Sequence, residues 1–285
     1  MNEGWHVSYL SRCTVAFQGE MGAYSEEAAL SFFQESVRTL PCRTLSDVFG
    51  KVERRESEFG IVPVENSLHG SIGQTYDLML NSNVLVRGET ILKITHCLVT
   101  SPNVHLNSVK RVYSHPQALG QCRMYLEKRD MQTIPTYDTA GSARIVKEGG
   151  WRDAAAIASE RAAAFYGMKV LVKGIETNPQ NFTRFFIISQ KDCPRSGDDK
   201  TSVVFTTRHV PGALFAALRA FAQRNINLAK IESRPILGKP WEYTFYLDLE
   251  GHRTEEHVDA ALEELRNNST FTKTLGSYPR SRTFI

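Results

Sequence analysis

Two residues pose the first chemical question. Thr183 and Arg184 open the apolar run in NFTRFFIIS (181–189). Arginine is seldom buried alone, so its guanidinium should meet either a structural carboxylate or an anionic ligand. Burying an ion pair costs desolvation, whereas a planar fork binds a carboxylate bidentately. The string alone leaves both readings open. PVENSLHGSI (63–72) gathers an acid (Glu65), an amide (Asn66), hydroxyls including Ser67, and a glycine. It is either a strand-to-helix turn that caps itself or a ligand site. SHPQALGQC (114–122) puts Gln117 and Gln121 on one helical face, with Ser114 and His115 beside the helix start. Capping and an exposed glutamine face account for that pattern, and His115 reads as a turn histidine rather than a base. GALFAAL (212–218) and IESRP (231–235) offer a glycine at a helix start and the acid Glu232. Backbone N–H groups there can approach a ligand carboxylate while Glu232 takes an amino group. A capping glycine and a surface charge pair explain the same residues.

The elements that position these residues fall into two styles. In the first part, short apolar strands alternate with helical patterns. Strands are expected at 14–19, at 59–64 with Pro63 marking the end, at 111–115 and from 153; helices at 25–34 with Ser25 as N-cap, 46–56, 116–128, from Thr139 as cap to the Gly149–Gly150 pair, and one closed by Gly167. Val48, Phe49 and Val52 fall on one helical face. Alternation of this kind implies largely parallel sheets. GEMGAYSE, ENSLHGS, SHPQ and DTAGS then lie at strand ends and helix starts, where free N–H groups favour an anion. QKDCPRSGDDK (190–200) reads as a linker. After it comes a βαββαβ order in about 80 residues, the split ferredoxin-like pattern. A helix start after its first strand and the end of its next strand are expected to face one edge groove.

Bulk properties narrow the class. The chain has 285 residues, 41% apolar, with a net charge of +3. No basic block is present, so nucleic-acid binding is not expected. Five scattered cysteines without a C-x-x-C pair suggest a reducing compartment. Eight histidines without H-x-H or H-E-x-x-H spacing give no metal site, and the lack of Gly-rich phosphate loops gives no nucleotide cofactor. The start, MNEGWHVSYLSRC, lacks an apolar leader core, and no 18-residue apolar run occurs, so a cytoplasmic, non-membrane protein is expected.

Taken in order, AFQGEMGAYSEEAA, PVENSLHGSI, SHPQALGQC, DTAGSA, AAIAS, NFTRF, GALF and IESRP resemble the prephenate dehydratases that carry a C-terminal ACT domain; arogenate dehydratases share the motifs. The strings span about residues 13–278. Each is weak alone, but eight in order are specific. The resemblance implies a two-lobed α/β catalytic domain like type II periplasmic binding proteins at 12–190, with lobe 1 at about 12–90 and 176–190 and lobe 2 at about 91–175. The crossings would lie near 88–95 and 171–177, a linker at 191–200, and an α+β ferredoxin-like ACT domain at 201–280.

It also implies a reaction: prephenate loses CO2 and water to give phenylpyruvate, or arogenate gives phenylalanine directly, with no cofactor or metal. Thr183 would be catalytic near the leaving hydroxyl. Glu65, Asn66, Ser67, Ser114, Gln121, Thr139 and Arg184 would surround the substrate, with Ser142 a further contact and His69 near the cleft. L-Phenylalanine would be a feedback inhibitor held by Gly212, Ala213 and Leu214, with Asn227, Glu232 and Ser233 nearby, in a homodimer or homotetramer. Ala229 departs from the pattern, because a hydroxyl residue is expected before KIESRP. Two other readings compete: a two-lobed sensor without chemistry, and a purely regulatory ACT-bearing subunit, which would leave the Thr-Arg-Phe string unused.

Overall fold

Thr14–Gln18 (TVAFQ) forms β1, whose Val15, Ala16 and Phe17 are fully buried. In this computed structural model, residues 13–34, 37–236 and 238–281 are described. The N-terminal segment MNEGWHVSYLSR and the expected domain start at residue 12 lie outside them. The chain continues through α1 (Tyr24–Phe32), β2 (Arg38–Cys42), α2 (Leu45–Glu53), β3 (Phe59–Asn66), β4 (Gly70–Ser71), α3 (Gly73–Asn81), β5 (Leu85–Lys93) and β6 (Cys97–Thr100). β7 (Arg111–Ser114), α4 (Pro116–Gln121), α5 (Arg123–Glu127), β8 (Gln132–Pro135), α6 (Thr139–Gly149), β9 (Ala154–Ala158), α7 (Glu160–Phe165), β10 (Lys169–Lys173) and β11 (Phe182–Ser189) follow. The last part holds β12 (Asp199–Thr206), α8 (Ala213–Ala222), β13 (Leu228–Ile236), β14 (Lys239–Glu250), α9 (Glu256–Asn267) and β15 (Phe271–Pro279).

Three sheets result, ordered β2-β1-β3-β11-β5 with β4 on β3, β10-β6-β9-β7-β8, and β13-β14-β12-β15. The strands of the second sheet all fall between β5 and β11 in sequence. The first two sheets are mixed rather than largely parallel. β1 runs parallel to β2 and β3, and β7 parallel to β8 and β9, but β6 is antiparallel to β9 and β10. Sequence alternation misses this, because a strand can enter an α/β sheet from a long connection in either direction. The chain divides into two compact units, one of residues 76–89 and 186–281, the other of 13–75 and 90–185.

Local physics explains where the elements depart from expectation. Ser25 lies inside α1, whose N-cap is Ala23 without a side-chain bond. The free N–H of Gly22 is met instead by the buried Glu26 carboxylate at 2.6 Å. Gly22 itself (φ +89°) is required, because a Cβ there would stand 2.4 Å from Ala162 Cα. Pro63 does not end β3. β1 follows β3 only to Ile61, and the strand runs on to pair Glu65 with Ser71. The expected helix 116–128 breaks at Cys122. There Gln121 O is diverted to Thr177 N (2.8 Å), and Tyr125 N turns to Cys122 O (3.1 Å). Asp138, not Thr139, caps α6, accepting from Gly141 N at 2.7 Å. Thr44 and Asp47 form a capping box on α2, whose Leu45, Val48, Phe49 and Val52 are buried.

The last sheet is fully antiparallel with two helices, the expected βαββαβ unit. β13 is an edge strand separated from β12 by β14, so the start of α8 and the end of β13 do not follow neighbouring strands. Val203, Phe205, Leu247 and Leu249 pack with Ala217, Phe221, Val258 and Leu262 of α8 and α9. On the other face, Tyr246 packs on Tyr76 of α3, with ring centroids 4.6 Å apart.

Candidate active site

The ends of β3 and β11 meet at Asn66. Its carboxamide is buried; Nδ2 donates to Asn181 Oδ1 (2.8 Å), Thr183 Oγ1 (3.0 Å) and Phe182 O (3.1 Å). Its Oδ1 accepts from Leu68 N (3.0 Å) and His69 N (3.1 Å). Ser67 closes the same corner, donating to Gln180 O at 2.8 Å and accepting from Phe182 N at 2.9 Å. A strand-end turn thus caps itself, and in doing so holds the Thr183 side chain, which is buried. The self-capping reading of ENSLHGS is met.

The second sheet contributes Gln121 at the end of α4. Its Oε1 accepts from Asn181 Nδ2 (3.1 Å) and lies 2.7 Å from His96 Nε2. Gln121 Nε2 lies 3.2 Å from His69 Nδ1. His96 Nδ1 is 2.9 Å from the hydroxyl of Tyr24, at the first position of α1. Burial pushes the His96 imidazole below its usual pKa and the Tyr24 phenol well above its own. One continuous set of contacts therefore runs Tyr24–His96–Gln121–Asn181–Asn66–Thr183. Separately, Arg184 Nη1 stands 3.9 Å from Glu65 Oε2, with the arginine side chain 12% exposed and the glutamate 37%. The guanidinium thus has a carboxylate beside it, at a distance too long for a bidentate clasp.

A further cluster joins the segment after β1 to α6 and α7. Glu20 accepts from Arg144 Nε (2.7 Å) and Nη2 (2.9 Å), from Tyr166 OH (3.1 Å) and from Tyr137 OH. Arg144 holds the Glu20 carboxyl below the usual carboxylate range.

The other expected residues are placed as follows. Ser114 is fully buried and donates to Ile157 O at 2.8 Å. Thr139 is half-buried in the first turn of α6, and Ser142 is buried, donating to Asp138 O at 2.6 Å. His115 caps α4, accepting from Gln117 N at 3.3 Å. His69 joins the network through Gln121. Sequence reasoning missed His96, Asn181, Tyr24, Glu20 and Arg144. Asn181 stood in the quoted NFTRF string, while His96 is a lone histidine in ITHCLV, with no signal beyond its type.

In the βαββαβ unit, Gly212 is the N-cap of α8 in the left-handed region (φ +79°), and nothing within 4 Å would meet a Cβ there. Ala213 N donates to Val210 O at 3.2 Å, and Leu214 packs on the core. Asn227 and Ser233 are exposed. Glu232 pairs in register with Tyr246 and lies 3.3 Å from Lys230. It therefore shares the sheet face of Tyr76 and α3, while α8 covers the opposite face. Within one chain the structure does not bring Glu232 to the start of α8.

Residues 15–193 match the family model for prephenate dehydratase, and residues 201–267 that for the ACT domain. The chain belongs to the prephenate dehydratase family. A bifunctional chorismate mutase/prephenate dehydratase of Aquifex aeolicus is 42% identical over 96% of this chain and 76% of that protein. The chloroplastic arogenate dehydratase/prephenate dehydratase 2 of Arabidopsis thaliana is 40% identical over 98% of this chain and 76% of that protein. Among solved structures, the prephenate dehydratase of Arthrobacter aurescens in complex with L-Phe superposes with a TM-score of 0.85 at 34% identity, covering 94% of this chain and 90% of that one. GqqA, described as a novel type of quorum quenching acylase, has a TM-score of 0.87 at 32% identity, covering 94% and 98%. Membership fixes the reaction class, a lyase of phenylalanine biosynthesis. Among the described residues no helix is long and apolar enough to cross a membrane.

Proposed function

We propose that this chain converts prephenate to phenylpyruvate and that Thr183 assists departure of the ring hydroxyl. The ring carboxylate leaves as CO2, its bonding electrons complete the aromatic ring, and the hydroxyl leaves with the C–O electron pair and takes a proton from solvent to become water. The observation that carries the reading is the contact of Asn66 Nδ2 with Thr183 Oγ1 at 3.0 Å. An amide nitrogen can only donate, so the Thr183 oxygen is the acceptor and its own hydrogen is not used on Asn66. A hydroxyl that already accepts is a stronger donor. It donates a hydrogen bond that strengthens as the C–O bond breaks, rather than a free proton. Arg184 takes a substrate carboxylate as a planar fork, releasing its loose contact with Glu65. Glu65, Asn66, Ser67, Ser114, Gln121 and Thr139 complete the substrate surroundings, and no metal or cofactor enters the reaction.

The second unit is proposed to sense L-phenylalanine, as the name of the A. aurescens complex suggests, through the backbone of Gly212, Ala213 and Leu214 with Asn227, Glu232 and Ser233. Because Glu232 and α8 lie on opposite sheet faces, one effector site would draw on two chains, which supports a homodimer or homotetramer. The exposed Phe215 and Ile231, on α8 and the edge strand β13, supply apolar surface for that contact. Catalytic and ACT domains at 12–190 and 201–280, with lobe 2 at about 91–175, and a cytoplasmic location complete the proposal.

Arogenate is the second reading, favoured by the plant relative at 40% identity. The deciding experiment follows phenylpyruvate absorbance with prephenate and phenylalanine release with arogenate, comparing kcat/KM. Because a similar fold carries an acylase name, fold alone does not choose the chemistry; failure with prephenate refutes the proposal, and failure with both acids refutes the second reading as well.

A further inference from the structure

The orientation of every amide in the network follows from donors that cannot turn. The backbone N–H groups of Leu68 and His69 both aim at Asn66 Oδ1 (3.0 and 3.1 Å). A backbone N–H only donates, so the Asn66 oxygen is fixed on that side and Nδ2 faces Asn181 and Thr183. Asn181 must then offer Oδ1 to Asn66 (2.8 Å) and Nδ2 to Gln121 (3.1 Å). Gln121 must offer Oε1 at that contact, and the same oxygen faces His96 Nε2 at 2.7 Å. That ring nitrogen therefore carries a hydrogen. With the ring neutral, Nδ1 is bare and accepts from the Tyr24 hydroxyl at 2.9 Å. Flipping Asn66 would set its nitrogen against two backbone donors and its oxygen against the Asn181 oxygen, mismatches that a buried network tolerates poorly.

We infer that His96 is a positioning residue for the reaction: its Nε2–H holds the Gln121 carboxamide, and through Asn181 and Asn66 it keeps the Thr183 hydroxyl aimed at the leaving group. The inference rests on the role proposed above for Thr183. Gln121 is a half-buried side chain at the end of a short helix, whereas Asn66 is pinned by two backbone donors. Removing the His96 donor leaves Gln121 held by Asn181 at Oε1 and by His69 at Nε2, and so loosens the aim of its oxygen on Asn181. Tyr24 follows, from the far side, the tautomer that the Gln121 oxygen sets at Nε2. Its hydroxyl also lies 2.9 Å from Thr95 O, within reach of an alternative acceptor, so the ring nitrogen it faces decides where its hydrogen goes. Burial keeps the imidazole neutral, which supports this tautomer.

The test compares wild type, His96→Phe, His96→Gln, Gln121→Ala and the double variant His96→Phe/Gln121→Ala with prephenate as substrate. His96→Phe keeps ring volume and loses the donor, so kcat should fall on the order of 10-fold with KM within about 2-fold. His96→Gln can place an amide N–H where Nε2–H was, and should keep most of kcat. If His96 acts through Gln121, the double variant should be no more than about 2-fold slower than Gln121→Ala alone. Unchanged kcat in His96→Phe overturns the inference, as do equal losses in His96→Gln and His96→Phe, or additive losses in the double variant. If His96→Phe does not fold, 15N spectroscopy of the wild-type imidazole decides. A hydrogen on Nε2 with bare Nδ1 is expected near neutral pH, and a hydrogen on Nδ1 alone, or on both nitrogens, overturns it. That reading needs no turnover. A wild type inactive on prephenate would refute the proposed function, whereas an active wild type with an insensitive His96 would refute only this inference.

Discussion

The amide network of the catalytic unit and the βαββαβ unit use polar side chains in opposite ways. In the first, residues separated by up to 117 positions, such as Asn66 and Thr183, come within hydrogen-bond distance inside one chain. In the second, Gly212 and Glu232 are only 20 positions apart in sequence, yet they serve opposite faces of one sheet. The network is complete as it stands, and its members are buried or half-buried. The proposed effector residues Asn227 and Ser233 are exposed, and Glu232 lies on the sheet face opposite α8. A reaction centre needs preorganised groups before its ligand arrives, whereas a sensor gains its coupling by being assembled when the ligand binds. The difference predicts that substitutions in the first region act on kcat and those in the second on the effector response.

The largest effect should follow from Thr183→Ala. If Thr183 acts on the leaving hydroxyl as proposed, the change removes that hydroxyl, so kcat should drop on the order of 10²-fold or more with little change in KM. Thr183→Ser keeps the hydroxyl and should retain more activity than Ala. Steady-state kinetics with prephenate check both, and an unchanged kcat for Thr183→Ala would remove Thr183 from the mechanism and blur the contrast between the regions.

Arg184 comes next. Arg184→Lys keeps the charge and loses the fork, so it should cost nearly as much in kcat/KM as Arg184→Ala, on the order of 10-fold or more. Thermal unfolding must be run beside the kinetics. A collapse in Tm with normal activity per folded molecule would mean that the neighbour at 3.9 Å, Glu65, is the true partner and that the pair is structural.

In the second region, Gly212→Val tests whether the start of α8 meets the effector. A β-branched residue is strained at φ +79°, and its methyls would fill the open space through which an effector carboxylate would approach the start of α8. The L-phenylalanine concentration for half-inhibition should rise about 10-fold, within the usual range of allosteric coupling. Glu232→Gln should raise it less, because Glu232 also faces Lys230 at 3.3 Å. Titrating inhibition in both variants reads this directly. If L-phenylalanine inhibits Gly212→Val as it does wild type, α8 is not the effector site.

What the sequence made legible divides along the same line. Local patterns placed β1, α2, Pro116 at the start of α4 and the entire βαββαβ order, because period and capping chemistry are properties of short segments. Strand direction was not legible: β4, antiparallel to β3, makes the first sheet mixed, β6, antiparallel to β9 and β10, makes the second so, and nothing in CLVT or KVLVK encodes which neighbour each will take. Cap identity slipped by one residue at Asp138 and failed at α1, where Glu26 serves Gly22 from inside the helix. In the site, Asn66 and Gln121 stood out in dense polar strings, but Asn181, Glu20 and Tyr24 stood in such strings too and were passed over. His96 sits alone in KITHCLV, and its importance is a matter of what lies across the fold from it.

The smallest effect expected is also the most direct reading of that environment. His96 is buried, and desolvation lowers its pKa below the ordinary 6.5, outweighing the opposing influence of Gln121 and the Glu176 carboxylate. In the unfolded chain the imidazole titrates near its ordinary value. Well above pH 6.5 it is neutral in both states and adds no pH dependence. Below that, the unfolded state takes up a proton that the folded state resists, so stability falls as pH drops from about 7 toward the folded-state pKa. His96→Gln has no such proton to bind and should lose less. Between about pH 7 and pH 5, the Tm of wild type should fall further than that of His96→Gln. Parallel melting curves at several pH values measure the gap. If the two proteins lose Tm in parallel, the imidazole is not held neutral by its surroundings, and the contrast between a buried, finished network and an exposed, unfinished effector site loses its strongest electrostatic support.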